Sequence, residues 1–202
     1  MIRRKGIVVT WLLVLVVAVG TLFWYNEWIY SLPTPVPASY KFVHTNQHIA
    51  ITEKLKVAPG KPVFLHFFNP DCPCSRFNLP HFRELVKKYG DRVTFVAVPM
   101  IMFGEEYTDE EIRKKLDLDI PVWREPGVAE AVGVYSTPQA VVLNSNKDLY
   151  YRGNYNKSRY CTDTRSNYAE MAIASLLNNS PTPDFGPMAL RAYGCTIEGC
   201  MK

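Results

Sequence analysis

The sequence predicts an α/β domain, a central mixed β-sheet flanked by helices, carried behind an N-terminal transmembrane helix. Three observations predict it: an uncharged apolar run over residues 7–25, a strand–helix–strand pattern over residues 63–98, and a hairpin pattern over residues 140–152. Of the 202 residues, 48% are hydrophobic and 21% charged, a globular composition that suits one domain plus an appendage. The net charge is +4, and Arg3, Arg4 and Lys5 supply three of those positive charges. The remainder lacks the clustered basic surface that a nucleic-acid reader needs. No internal repeat is present, which excludes solenoids and propellers.

The run over residues 7–25 is interrupted only by Thr10, Gly20 and Thr21, and about 20 mostly apolar residues cross a bilayer. The basic cluster before it predicts a cytoplasmic N-terminus, and Trp24, Tyr25, Trp28 and Tyr30 fit an aromatic belt at the opposite interface. A cleavable signal peptide competes with the anchor, because Ala18-Val19-Gly20 is a passable cleavage site. The apolar run continues past that site into the aromatic residues, which favours the uncleaved anchor. Either way the cysteines face an oxidising compartment. The expected location is single-pass in the cytoplasmic (inner) membrane of the cell, with the C-terminal domain on the periplasmic side. Residues 1–30 are the basic tip and anchor, 31–40 a stiff Pro-rich linker, 41–180 the folded domain and 181–202 a Cys-containing tail.

Residues 63–68 form an apolar run bounded by Pro62 and Asn69-Pro70, as a strand buried on both faces does. A helix follows, with Leu79, Phe82, Leu85, Val86 and Tyr89 at spacings of three and four and Gly90 at its C-cap. Residues 93–98 are a second buried strand, so the pattern predicts a right-handed parallel crossover. Thr108-Asp-Glu-Glu111 is a capping box opening a helix whose last turn carries Arg113, Lys114 and Lys115. Residues 127–132 are a short helix and residues 140–143 a strand. The turn cluster 144–148 joins that strand to one over residues 149–152. Residues 168–177 close the domain as a helix, and the Pro- and Gly-rich chain beyond Ser180 reads as an irregular tail.

Cys72-Pro73-Cys74-Ser75 stands where the buried strand gives way to the helix. A helix N-terminus carries partial positive charge, which lowers a cysteine's pKa and favours the nucleophilic thiolate. Asp71 opposes this and Arg76 offsets it.

At this point the chain resembles the thioredoxin superfamily, in particular its membrane-anchored extracytoplasmic members of the TlpA and redoxin type, over residues 61–177. FLHFFNPDCPCSRFNLP follows that family's strand, active-site turn and helix, with Pro80 at the family's distance from the first cysteine. Ser136-Thr137-Pro138 before QAVVL is similar to its cis-proline loop, and VVLNSNKDLYYRG resembles its last two strands. A subgroup with a CPC motif and further late cysteines is the nearest resemblance. The resemblance implies a thioredoxin-like fold and a thiol–disulfide oxidoreductase, with Thr137 and cis-Pro138 holding the substrate chain. It also implies partners among protein thiols and disulfides outside the cytoplasm and a membrane-linked thiol redox partner. No cofactor and no metal are expected for this reading.

The sequence departs from the family's C-x-x-C: the second cysteine comes one residue early and Ser75 takes the usual resolving position. Cys72 is therefore the candidate nucleophile, and Cys74 or a distant cysteine the resolver. A Cys72–Cys74 disulfide closes a small ring, and strained disulfides are more oxidising. His66 lies where thioredoxins bury an acid, and a neutral imidazole there accepts a thiol proton. The alternative is a core histidine without a catalytic part. His44, His48 and His81 read as surface residues.

Cys161, Cys195 and Cys200 lie in turn-rich sequence. Their spacing is a weak metal signal, and a structural disulfide between Cys161 and Cys195, tying the tail to the body, is expected. Three other functions compete with exchange. Cys72 and Cys74 with Met100 or Met102 offer soft ligands for a Cu(I)-binding or metallochaperone module, although methionine in apolar sequence is usually core filler. A peroxidase conflicts with the absence of P-x-x-x-T/S-x-x-C. A non-catalytic interaction domain stays open, because fold does not fix function.

Overall fold

Alternating side chains decide how the central strand of this domain is buried, and the computed structural model describes it within residues 2–28, 31–50, 53, 55, 57, 59–101 and 106–197. Strand β1 (Val63–Phe68) is buried along its whole length. Phe64 and Phe68 face one core with Phe82, Leu85, Ile112 and Ile173. Val63, Leu65 and Phe67 face a second core with Val96, Val128, Val132 and Val141. A strand buried on both faces must lie inside a sheet covered by helices on both sides.

Helix α2 (Pro73–Tyr89) follows, then β2 (Thr94–Pro99), α3 (Asp109–Leu116) and α4 (Val128–Val132). Strands β3 (Ser136–Thr137), β4 (Gln139–Leu143) and β5 (Leu149–Gly153) come next, before α5 (Tyr168–Leu177), α6 (Pro187–Leu190) and β6 (Cys195–Thr196). The main sheet has the order β2-β1-β4-β5. β1 and β2 are parallel, and β4 is antiparallel to both β1 and β5. β3 and β6 form a separate two-stranded sheet. The Thr137–Pro138 peptide between β3 and β4 is cis. A parallel crossover with its cysteine motif at the start of the connecting helix, then a cis-proline and an antiparallel hairpin, is the thioredoxin-like fold implied by the motif resemblance.

Local expectations hold with small shifts. The second strand begins at Thr94 and runs through Pro99. Thr108 and Glu111 form the reciprocal capping box, Glu111 N donating to Thr108 Oγ1 at 3.2 Å and Thr108 N to Glu111 Oε2 at 2.7 Å. Gly90 caps α2 in right-handed backbone, φ −58°, so the left-handed freedom of glycine is not what the position uses.

The tail departs from the irregular reading. It contains α6 and β6, and Asn154 pins it by donating from Nδ2 to the carbonyls of Met188 and Arg191 at 2.8 and 2.6 Å. Satisfying exposed carbonyls through a side-chain amide lets a short Pro- and Gly-rich segment hold a fixed path.

At the N-terminus, α1 (Ile2–Phe23) passes into a π-helical turn, Trp24–Trp28. The segment Arg4–Trp28 has mean hydropathy 2.6 in its most apolar window, none of it buried. Trp24 and Trp28 stack at 5.5 Å; Tyr30 of the expected aromatic belt lies outside the described residues. Arg159 Nη2 donates to the Asn26 carbonyl at 2.7 Å and to Glu27 Oε1 at 2.9 Å, linking the end of the apolar helix to the domain.

Candidate functional site

The turn between β1 and α2 is built by Asn69. Its side-chain oxygen accepts from the Asp71 and Cys72 backbone N–H groups at 2.9 and 3.2 Å, while its own N–H donates to Ser75 Oγ at 3.0 Å. This Asx turn delivers Cys72 to the N-cap of α2 in extended backbone, and Pro73, whose fixed φ suits the first helical turn, starts the helix. Cys72 and Cys74 are both buried. Asp71, whose charge would oppose a thiolate, is paired with Lys115 Nζ of α3 at 2.9 Å and accepts from Tyr107.

The third member of the site comes from the tail. Pairing of β6 with β3 sets Thr137 opposite Cys195, next to cis-Pro138. Cys195 Sγ lies 2.9 Å from Cys72 Sγ and 3.5 Å from Cys74 Sγ. The three sulfurs lie within 4.8 Å of one another, all buried. The Cys195 hydrogen bond lowers the Cys74 pKa, but the Cys72 contact and burial outweigh it and bring the group up to about 11. Cys195 is pushed well up, first by its hydrogen bond to Cys72 and then by that to Cys74 and by burial.

The expected Cys161–Cys195 disulfide is not formed in this structure. Cys161 is a free thiol whose Sγ donates to Asn78 Oδ1 at 3.1 Å, and Cys195 sits instead on Cys72 and Cys74. Burial pushes the Cys161 thiol up to about 12. Cys200 and Met102 lie outside the described residues, and Met100 packs against the core face of Val63, Leu65 and Phe67.

His66 is fully buried between the Phe68 and Phe82 rings, with Nδ1 2.6 Å from the Tyr155 hydroxyl. Burial lowers its pKa to about 3, so the ring is neutral. Its hydrogen bond to Tyr155 and its aromatic stacking fit the core-histidine alternative. His81, expected on the surface, is buried, and its pKa is lowered by desolvation. Thr137 is buried, with no hydrogen-bond partner for Oγ1 among the described residues.

Beside the sulfurs opens a pocket of about 410 Å³ whose lining includes Cys74, Asn78, Pro138, Tyr155, Cys161 and Gly194. Tyr155 and Asn78 were invisible as site residues in the sequence, because each owes its place to long-range packing.

A single family model spans residues 41–197, from the end of the linker through β6 and all three clustered cysteines. The chain belongs to the family described as Domain of unknown function (DUF6436). Comparison with curated proteins gives no match. Among solved structures, this DUF6436 chain is similar to the hypothetical protein SMc02350 from Sinorhizobium meliloti 1021, at 16% identity and TM-score 0.57 over 82% of this chain and 95% of that one. An uncharacterized conserved protein from Geobacillus kaustophilus gives 18% identity and TM-score 0.58 over 82% and 98%. A thioredoxin-like protein solved in its oxidised form gives 17% and 0.47 over 74% and 95%. At these identities the likeness concerns the fold.

Proposed function

We propose that this chain is a membrane-tethered thiol–disulfide oxidoreductase, with Cys72 as nucleophile. The observation that carries the reading is the Cys72 sulfur at the N-cap of α2, in contact with another thiol beside cis-Pro138. A thiolate is favoured at a helix N-terminus and is the form that attacks disulfides. Cys72 attacks one sulfur of a partner disulfide, forming a mixed disulfide and releasing the other sulfur as a thiolate. A second protein thiol then displaces the bound sulfur. Thr137 and Pro138 line the approach, and no cofactor takes part.

The anchor, residues 1–30, holds the domain on the extracytoplasmic side of the inner membrane, in the periplasm, with the linker 31–40 between them. Substrates are protein thiols and disulfides, and a membrane-linked dithiol or disulfide resets the site. A reporter fused after Lys202 is expected outside the cytoplasm; a cytoplasmic signal would remove the compartment from this reading. The chemistry is tested by incubating reduced full-length protein with oxidised glutathione. Wild type is expected to exchange and Cys72→Ser to lose exchange, while absence of exchange in wild type would leave an interaction module.

A second reading rests on the mutual approach of three sulfurs. Ligands held about 2.3 Å from one ion lie at most about 4.6 Å apart, close to the spread of this cluster. Three buried thiolates suit a soft ion such as Cu(I), with Cys195 in the place that sequence reasoning offered to methionine.

A further inference from the structure

We infer that Cys195 is the resolving cysteine and that the tail from α6 to β6 is a built-in arm that delivers it to Cys72; this deepens the exchange reading and rests on it.

Geometry favours Cys195 over Cys74. Cys74 is fixed in the first turn of α2, one residue from Cys72 across Pro73. A proline with fixed φ leaves little freedom to reach the torsion a disulfide requires. Cys195 approaches from a separate strand, and its sulfur already lies 2.9 Å from Cys72. Its position is held from three sides. β3 pairs with β6, Asn154 holds the carbonyls of Met188 and Arg191, and Thr34 of the linker clamps the strand. Thr34 N donates to the Ala192 carbonyl at 2.8 Å, and Thr34 Oγ1 to the Gly194 carbonyl at 2.6 Å. Gly194 is the residue that permits the approach, since a Cβ there would overlap the Thr137 carbonyl oxygen.

With the arm in place Cys72 is wholly buried, so a partner disulfide reaches it only when β6 leaves β3. The cycle then has two steps. With the arm out, the Cys72 thiolate attacks RS–SR′, forming Cys72–SR and releasing R′S⁻. With the arm back, Cys195 loses its proton to the released thiolate and attacks Cys72 Sγ. The Cys72–Cys195 bond forms as the bond to SR breaks, and RS⁻ leaves. Two electrons have passed from the cysteine pair to the substrate; the Cys195 proton ends on R′SH, and RS⁻ takes up from solvent the proton that Cys72 released on becoming a thiolate. Thr34 is a positioning residue in this scheme: it acts on the return of the arm, not on the first attack.

The test is single-turnover reaction of reduced full-length protein in detergent with oxidised glutathione, quenched by alkylation and mapped by mass spectrometry. Wild type should end as Cys72–Cys195. Cys195→Ser should stop at glutathionylated Cys72, while Cys74→Ser should still yield Cys72–Cys195. Thr34→Val should slow resolution about fivefold, the worth of one hydrogen bond, without slowing the first attack, and Thr34→Ser should restore it. Should Cys195→Ser fail to fold, the Thr34 pair carries the same test. A Cys72–Cys74 product, or glutathionylated Cys72 accumulating in Cys74→Ser instead of Cys195→Ser, would overturn the arm and leave the exchange reading standing. Cys72 that never becomes glutathionylated in any variant would overturn both.

Discussion

His66 Nδ1 and the Tyr155 hydroxyl lie 2.6 Å apart in the core, and the imidazole is stacked between Phe68 and Phe82. A polar ring enclosed by aromatic side chains keeps its proton affinity low, because the charged form has lost its water. This makes the histidine a stability element whose effect depends on pH.

The folded pKa is about 3 against an ordinary 6.5. Between those values the unfolded chain binds a proton that the folded chain does not. His66 therefore contributes fully above about pH 6.5, and its contribution is lost as the pH falls toward 3. The total is on the order of a few kcal/mol for a fully buried group. Melting temperature followed from pH 8 to pH 4 should fall more steeply in wild type than in His66→Phe. Parallel curves would show that the ring does not stay neutral in the fold.

Cys161 stands apart from the other described cysteines, donating to Asn78 and carrying a pKa near 12. Only thiolates alkylate readily, so at pH 8 Cys161 should react slowly with iodoacetamide although it is only half-buried. Cys161→Ala removes the donor to a buried amide oxygen and should cost about 1–2 kcal/mol in denaturant unfolding. Peptide mapping without reductant should find Cys161 unlinked; a Cys161–Cys195 peptide would contradict the observed path of the tail.

Most of the domain was legible locally. β1, β2, β4 and the capping box of α3 announce themselves through apolar runs, turn residues and caps, and the motif resemblance supplied the cis bond at Pro138. The helix after the CPC motif shows where such reading stops. Its apolar letters selected Leu79 and Val86, which are only partly buried, whereas Cys74, Ser75, Asn78 and His81 line the buried face with Phe82 and Leu85. Polar residues that find partners in the core are missed by a search for apolar periodicity. The tail was harder still: a two-residue strand has no period to read. Its pairing with Ser136 and Thr137 is fixed by Thr34 and Asn154, which are distant in sequence, and by the absence of a side chain at the adjoining Gly194.

Gly194 offers a direct handle on that pairing. A valine there would drive its Cβ into the Thr137 carbonyl and Ser136 Oγ, which backbone and a short side chain relieve only by letting β6 go. Gly194→Val should convert Cys72 from a slowly to a rapidly alkylated thiol while the main-sheet fold persists by circular dichroism. An unchanged alkylation rate would mean that something other than β6 shields Cys72.

Metal binding and exchange make opposite demands on the same three sulfurs. A Cu(I) site needs Cys72, Cys74 and Cys195 as thiolates together, since soft thiolate ligands are what select that ion, whereas oxidation to Cys72–Cys195 removes two ligands at once. Titration of the reduced protein with Cu(I) against a chromophoric chelator separates the cases. If the cluster is a metal site, one equivalent should bind, each of the three Cys→Ser variants should lose it, and bound metal should protect Cys72 from alkylation. Oxidised protein should then bind none. If Cys74→Ser retains the affinity of wild type, Cys74 is not a ligand, the three-sulfur centre fails, and the proximity of Cys195 to Cys72 is left to exchange chemistry alone.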